Sequence, residues 1–80
     1  MNIADIKFLI AEYTIDDLKK AEDQLLDEQE LLIEVPGKDE GEKLTHLLAA
    51  IWCKHEMNKE GWNVALAIRN YSLRVRNSIT

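Results

Sequence analysis

Apolar residues recur at intervals of three and four in four stretches of the chain, a spacing typical of amphipathic helices. Each stretch follows a side chain that can accept a hydrogen bond from a first helical turn, and these N-cap residues are Asn2, Thr14, Asp39 and Asn63. Gly61 suits the end of the third helix. The pattern predicts an all-α fold, a compact bundle of about four helices.

The third helix is apolar on two faces. Its main stripe contains Leu44, Leu47, Leu48, Ile51 and Trp52. A second stripe of smaller groups contains His46, Ala50, Cys53 and Met57, with Ala49 beside it. A helix that is apolar nearly all round is buried among neighbours, so we expect the third helix at the centre of the bundle.

The first and fourth helices each carry apolar residues outside their main stripe. In the first, Phe8 points away from a stripe that begins at Ile3. In the fourth, the core stripe comprises Val64, Ile68, Tyr71, Val75 and Ile79. Leu66 and Leu73 lie on the opposite face, one heptad apart, with Arg69 and Arg76 at the same spacing beside them. This face is expected to meet another helix.

The connection between the second and third helices contains a short extended segment at 31–35. Its Ile33 and Val35 are β-branched, and Pro36 biases the preceding residue toward an extended backbone. The segment could be a connection that buries these two side chains, or a lone strand paired with its copy in another subunit. The first alternative is favoured, because an isolated pair of strands is marginally stable in water.

Length and composition describe a single folded domain over residues 1–80. The chain is 46% hydrophobic and 31% charged, which excludes a disordered or collagen-like protein. One cysteine excludes an internal disulfide, and the longest stretch without Asp, Glu, Lys or Arg, 44–53, is half the length of a membrane span. Since no secretory signal is recognised, we expect a cytoplasmic protein without a membrane partner.

Charge is divided unevenly between the halves of the chain. Residues 1–40 carry twelve acidic residues and four lysines, a balance of −8, whereas residues 41–80 carry three acidic and six basic residues, a balance of +3. The net charge of −5 argues against nonspecific binding to nucleic acid. The asymmetry suggests attraction between the halves, within one subunit or between two, and Glu22 on the apolar stripe of the second helix is expected to pair with an arginine of the fourth.

Few residues suggest catalysis or metal binding. Glu42 and His46 have the i, i+4 spacing of a ligand pair, but no further ligand is evident nearby in the chain, so capping by Glu42 and packing of His46 are the simpler roles. His55 has no evident nucleophile, and Cys53 points to another face. We therefore expect no cofactor and no metal, and a non-enzymatic protein is favoured over an enzyme.

Three stretches, at 39–46, 47–51 and 71–79, look like those of a group of small uncharacterised bacterial proteins. The first reads Asp-Glu-Gly-Glu before Leu-Thr-His, the second Leu-Leu-Ala-Ala-Ile, and the last Tyr-Ser-Leu-Arg-Val-Arg-Asn-Ser-Ile. The resemblance implies a small intracellular protein with no assigned activity, and it supplies no catalytic residues.

The leading functional hypothesis is a non-enzymatic interaction protein that self-associates, as a dimer or larger homo-oligomer, through the second apolar faces of its helices. An 80-residue chain buries a modest share of its surface, which favours association. The candidate partner-binding residues are Phe8, Ala49, Cys53, Met57, Leu66, Arg69, Leu73 and Arg76. Two alternatives stay open: a nucleic-acid-associated regulator that uses the basic fourth helix, or a metal or enzyme site shared between subunits.

Overall fold

Four α-helices form the fold, as the sequence predicts. The structure is a computed structural model, and it describes residues 2–77. The helices are α1 (Ile3–Glu12), α2 (Ile15–Leu26), α3 (Glu40–Glu60) and α4 (Val64–Asn77). The described residues contain no β-strand, and none of their helices combines the length and the apolar character needed to cross a bilayer.

The helix boundaries follow the predicted caps. Every predicted N-cap side chain accepts a hydrogen bond from a backbone N–H of the first turn, and the four are Asn2, Thr14, Asp39 and Asn63. Thr14 and Asp17 form a reciprocal capping box. The chain leaves α3 at Gly61, whose φ of 73° is left-handed, a conformation that glycine adopts without steric cost. Local sequence thus determines where the helices begin and where α3 ends.

The central position of α3 is confirmed, since it packs against each of the other three helices, and α1 also touches α4. Its most buried face is the stripe of smaller groups, where His46, Ala49, Ala50 and Cys53 are all inaccessible to solvent. On the larger stripe only Leu47 is equally buried, and Leu48 remains 44% exposed. Small side chains on this face let the other three helices approach α3 closely, and most of the bulkier side chains of α3 itself lie towards the edges of the core.

This packing removes two of the candidate partner-binding residues from the surface. Ala49 and Cys53 are enclosed by the helices around α3, so neither can contribute to a docking face of this structure. Phe8 and Met57 are half-buried and pack against the core, and the ring of Phe8 meets Tyr13 edge to face at 6.0 Å. Leu66, 40% exposed, remains accessible on α4.

The connection at 31–35 buries alternate side chains. Val35 is buried, Leu31 and Ile33 are half-buried, and Leu32 and Glu34 are exposed. The chain bends at Leu32 and Ile33, so the segment is not a straight extended strand, but its alternating burial still presents one face to the core and one to solvent. Two hydrogen bonds hold the segment in place. The backbone N–H of Leu32 donates to the side-chain oxygen of Gln24, and the backbone N–H of Glu34 donates to the hydroxyl oxygen of Tyr13.

The core side of α4 agrees with the predicted stripe where the structure describes it. Ile68 is buried. The Tyr71 ring lies 5.7 Å from the Trp52 ring of α3 at a tilt of 55°, and the Trp52 ring also lies 6.5 Å from the Trp62 ring. Ile79, the last member of the predicted stripe, lies outside the described residues. The aromatic cluster fixes α4 against α3 and leaves another face of α4 open beside α1.

Candidate functional site

A groove lies between the first turns of α1 and the outer face of α4. It has a volume of about 510 Å³. Its apolar floor consists of Ile3, Ile68 and Leu73, and its cationic side chains are Lys7, Arg69 and Arg76. Such a mixture of apolar floor and charged rim is suited to a partner that is both apolar and acidic.

The floor of the groove is incompletely covered within the chain. Ile3 is 47% exposed and Leu73 is 42% exposed, although both are large aliphatic residues. Ile3 begins the core stripe of α1, but it stands in the first turn, where α4 does not cover it. Exposed aliphatic side chains are ordinary when they are single. Here two of them share one concave surface, which is the arrangement expected of a docking site.

The cations of the groove have no anionic partner among residues 2–77. Lys7, Arg69 and Arg76 are exposed, and no carboxylate of residues 2–77 lies within 4.0 Å of any of them. The expected ion pair between Glu22 and an arginine of α4 does not form; across the described residues, no aspartate or glutamate pairs with a lysine or arginine. The opposite charges of the two halves are therefore not neutralised by direct contacts inside this part of the chain.

Three of the candidate partner-binding residues meet in the groove: Arg69, Leu73 and Arg76. The heptad spacing on α4 places them together, as the sequence indicates. Leu66 lies one heptad before Leu73 and extends the apolar surface of the helix beyond the groove. Sequence reasoning missed Ile3 and Lys7, because nothing in the local pattern of α1 indicates that its first turns lie beside α4.

The third arginine of α4 has a different environment. The guanidinium of Arg74 lies 5.8 Å from the centre of the Trp52 ring, a cation–π distance. Burial raises the pKa of neighbouring Tyr71, with a further increase from Cys53 and a decrease from Arg74. Arg74 therefore belongs to the contact between α3 and α4, and only the other two arginines face the groove.

A second polar cluster surrounds His46, which is fully buried on α3. Its Nδ1 lies 2.8 Å from the Pro36 carbonyl oxygen, and its Nε2 accepts a hydrogen bond from the Asn2 backbone N–H at 3.0 Å. These partners assign the proton to Nδ1, which donates to Pro36. The ring thereby links the start of α1, the end of the 27–39 connection and α3.

Two carboxylates complete this cluster. Asp5 Oδ2 lies 3.9 Å from His46 Nδ1, and one ligand atom from each of Asp5, Glu42 and His46 falls within a 4.8 Å span. The expectation that no third ligand stands near Glu42 and His46 is therefore wrong, since Asp5 reaches them across 41 residues of sequence. Both ring nitrogens of His46 are nevertheless occupied by backbone groups, so a metal would have to displace one of these hydrogen bonds.

The other residues considered for catalysis do not join either cluster. His55 is exposed further along α3. Cys53 is enclosed in the core, and burial raises the pKa of its thiol to about 11. A thiol with such a pKa is almost entirely protonated at neutral pH, and the thiolate is the reactive form.

Comparison with known proteins agrees with the resemblance noted in the sequence. No curated protein and no solved structure matches the chain significantly. A family model matches residues 1–80, the whole of the sequence. The chain therefore belongs to DUF6952, a family of unknown function.

Proposed function

We propose that the protein is a small interaction module whose copies associate through the α1–α4 groove. The observation that carries this proposal is the groove itself, an exposed apolar floor bordered by Lys7, Arg69 and Arg76 with no anionic partner among residues 2–77. A partner that supplies apolar and acidic groups would cover the floor and neutralise the cations together.

A second copy of the chain supplies this chemistry. Its first forty residues carry the balance of −8, and the described acidic side chains among them make no ion pair with lysine or arginine. The short chain adds a second reason, since a domain of 80 residues buries a small share of its surface and gains stability from association. Charge complementarity therefore favours a second copy as the partner, and the small size favours association in general.

Substitution of the groove floor tests the proposal. In Leu73→Glu, a carboxylate replaces an apolar contact in the docking surface, and we expect self-association to weaken by about tenfold or more. Leu48→Glu is the matched control, because Leu48 is exposed to the same degree, 44% against 42%, but does not line the groove. The dissociation constant of each variant is measured by sedimentation velocity over a range of concentrations.

The outcomes separate the proposal from its nearest rival. Equal dissociation constants for wild type and Leu73→Glu would contradict a groove interface. The rival is binding of nucleic acid to the cations of the groove, with contacts that weaken steeply as salt increases. A wild-type chain that stays monomeric and binds duplex DNA at low salt, with loss of binding in Arg69→Ala, would replace self-association by that function.

A further inference from the structure

The occupant of the groove is suggested by the outward face of the 30–34 segment. Leu32 is 83% exposed, the most exposed of the large hydrophobic residues described. Glu30, Leu32 and Glu34 are all exposed and stand at every second position, with the half-buried Leu31 and Ile33 between them. This outward face therefore consists of one apolar side chain between two carboxylates.

The groove offers the complementary order of groups. Leu73 of its floor lies between Arg69 and Arg76 along α4. These arginines are seven residues apart, a rise of about 10.5 Å along a helix. Glu30 and Glu34 are four residues apart, which is about 13 Å in a fully extended chain and less here, because the chain bends at Leu32 and Ile33. Each carboxylate can therefore approach one of the two guanidinium groups while Leu32 lies over the floor of the groove.

We infer that the 30–34 segment of a second copy binds in the α1–α4 groove, with Leu32 on the floor and Glu30 and Glu34 paired with Arg69 and Arg76. This inference rests on the proposed self-association and names the surface that meets the groove. Within one copy the segment is held by Gln24 and Tyr13 and does not line its own groove.

Two features favour this pairing over contact between two grooves. A symmetric meeting of grooves would bring Lys7, Arg69 and Arg76 of both copies together, and like charges at an interface are unfavourable. The backbone of the segment is already fixed by two hydrogen bonds, so docking orders little additional chain. If each of two copies docks its 30–34 segment in the groove of the other, a closed dimer forms. If each copy docks its segment in the groove of a further copy, a ring or a filament forms.

Charge reversal on each surface tests the pairing. The groove variant is Arg69→Glu with Arg76→Glu, and the segment variant is Glu30→Lys with Glu34→Lys. All four side chains are exposed, and the backbone hydrogen bond of Glu34 does not involve its carboxylate, so both variants should fold as wild type by circular dichroism. We expect each variant alone to have a dissociation constant about tenfold or more above that of wild type.

Mixing the variants gives the deciding result. In a mixed complex, the reversed groove of one variant meets the reversed segment of the other, so an equimolar mixture should associate as wild type does. A single chain with all four changes carries both reversed surfaces and should self-associate again. A segment variant that associates like wild type, beside a groove variant that does not, would overturn this inference and leave the groove interface standing. Unchanged association of the groove variant would overturn both.

Discussion

At the scale of single residues, His46 links three segments that are remote in sequence. Its ring binds the backbone at Asn2 and at Pro36, and its position on α3 is fully buried. A buried histidine between one donor and one acceptor satisfies two backbone groups at once. The side chain therefore helps to hold the start of α1, which supplies one wall of the groove.

Replacement of His46 by leucine should be costly. The leucine side chain fills similar space but leaves the Asn2 N–H and the Pro36 carbonyl without their partner, and each unpaired group costs about 1–3 kcal/mol when buried. Both groups lie near the surface, so we expect a loss near the lower end, about 2 kcal/mol in the free energy of unfolding measured with urea.

His55→Leu is the control for this substitution, since His55 is an exposed histidine on the same helix. Its stability should stay within about 0.5 kcal/mol of wild type. Equal urea midpoints for the two variants would show that the His46 hydrogen bonds contribute nothing to stability.

At the scale of elements, the helices are determined by local chemistry and their arrangement by packing. The caps at Asn2, Thr14, Asp39 and Asn63 could be read from the sequence because a cap depends on a few adjacent residues. The identity of the most buried face of α3 could not, because it depends on how closely three other helices approach. Ala49 and Cys53 were therefore predicted to lie on a partner-binding surface, whereas the structure buries both in the core.

The candidate site divides in the same way. The α4 side of the groove, with Arg69, Leu73 and Arg76, was predictable from a heptad spacing within one helix. Ile3 and Lys7 were not, and neither was the approach of Asp5 to His46, because each depends on contacts between residues more than 40 positions apart. Periodicity predicts which residues share one face of a helix, but it does not indicate which other helix packs against that face.

Two glycines at the ends of α3 offer a test of the role of local backbone geometry. Gly61 has φ of 73°, and a Cβ at this position would meet no other group within 4 Å, so Gly61→Ala introduces backbone strain without a clash. We expect a loss of about 1 kcal/mol in the free energy of unfolding.

Gly41→Ala is the matched control. Gly41 lies in the first turn of α3 without a left-handed backbone, and a Cβ there would lie 3.4 Å from the Asp39 carboxylate. Alanine favours the helix over glycine, so this variant should be unchanged or more stable by about 0.5 kcal/mol. Gly61→Ala with the stability of wild type in urea would contradict the left-handed end of α3.

At the scale of the whole molecule, the exposed charged and apolar groups are arranged as expected for a protein that binds a partner. The first half carries excess acidic charge, the cations of the groove are exposed, and no ion pair among residues 2–77 joins the two. Exposed aliphatic groups, Leu32 on one surface and Ile3 and Leu73 on the other, occur where these opposite charges occur. Association of two copies would satisfy both features.

The mass of the native particle tests this account most directly. By sedimentation equilibrium over a range of concentrations, we expect the mean mass to rise above the 9.2 kDa of one chain towards at least twice that value. Because the groove contributes charged contacts, added salt should lower the mean mass at a given concentration. A mass that stays at 9.2 kDa at every concentration and at low salt would contradict self-association through the groove.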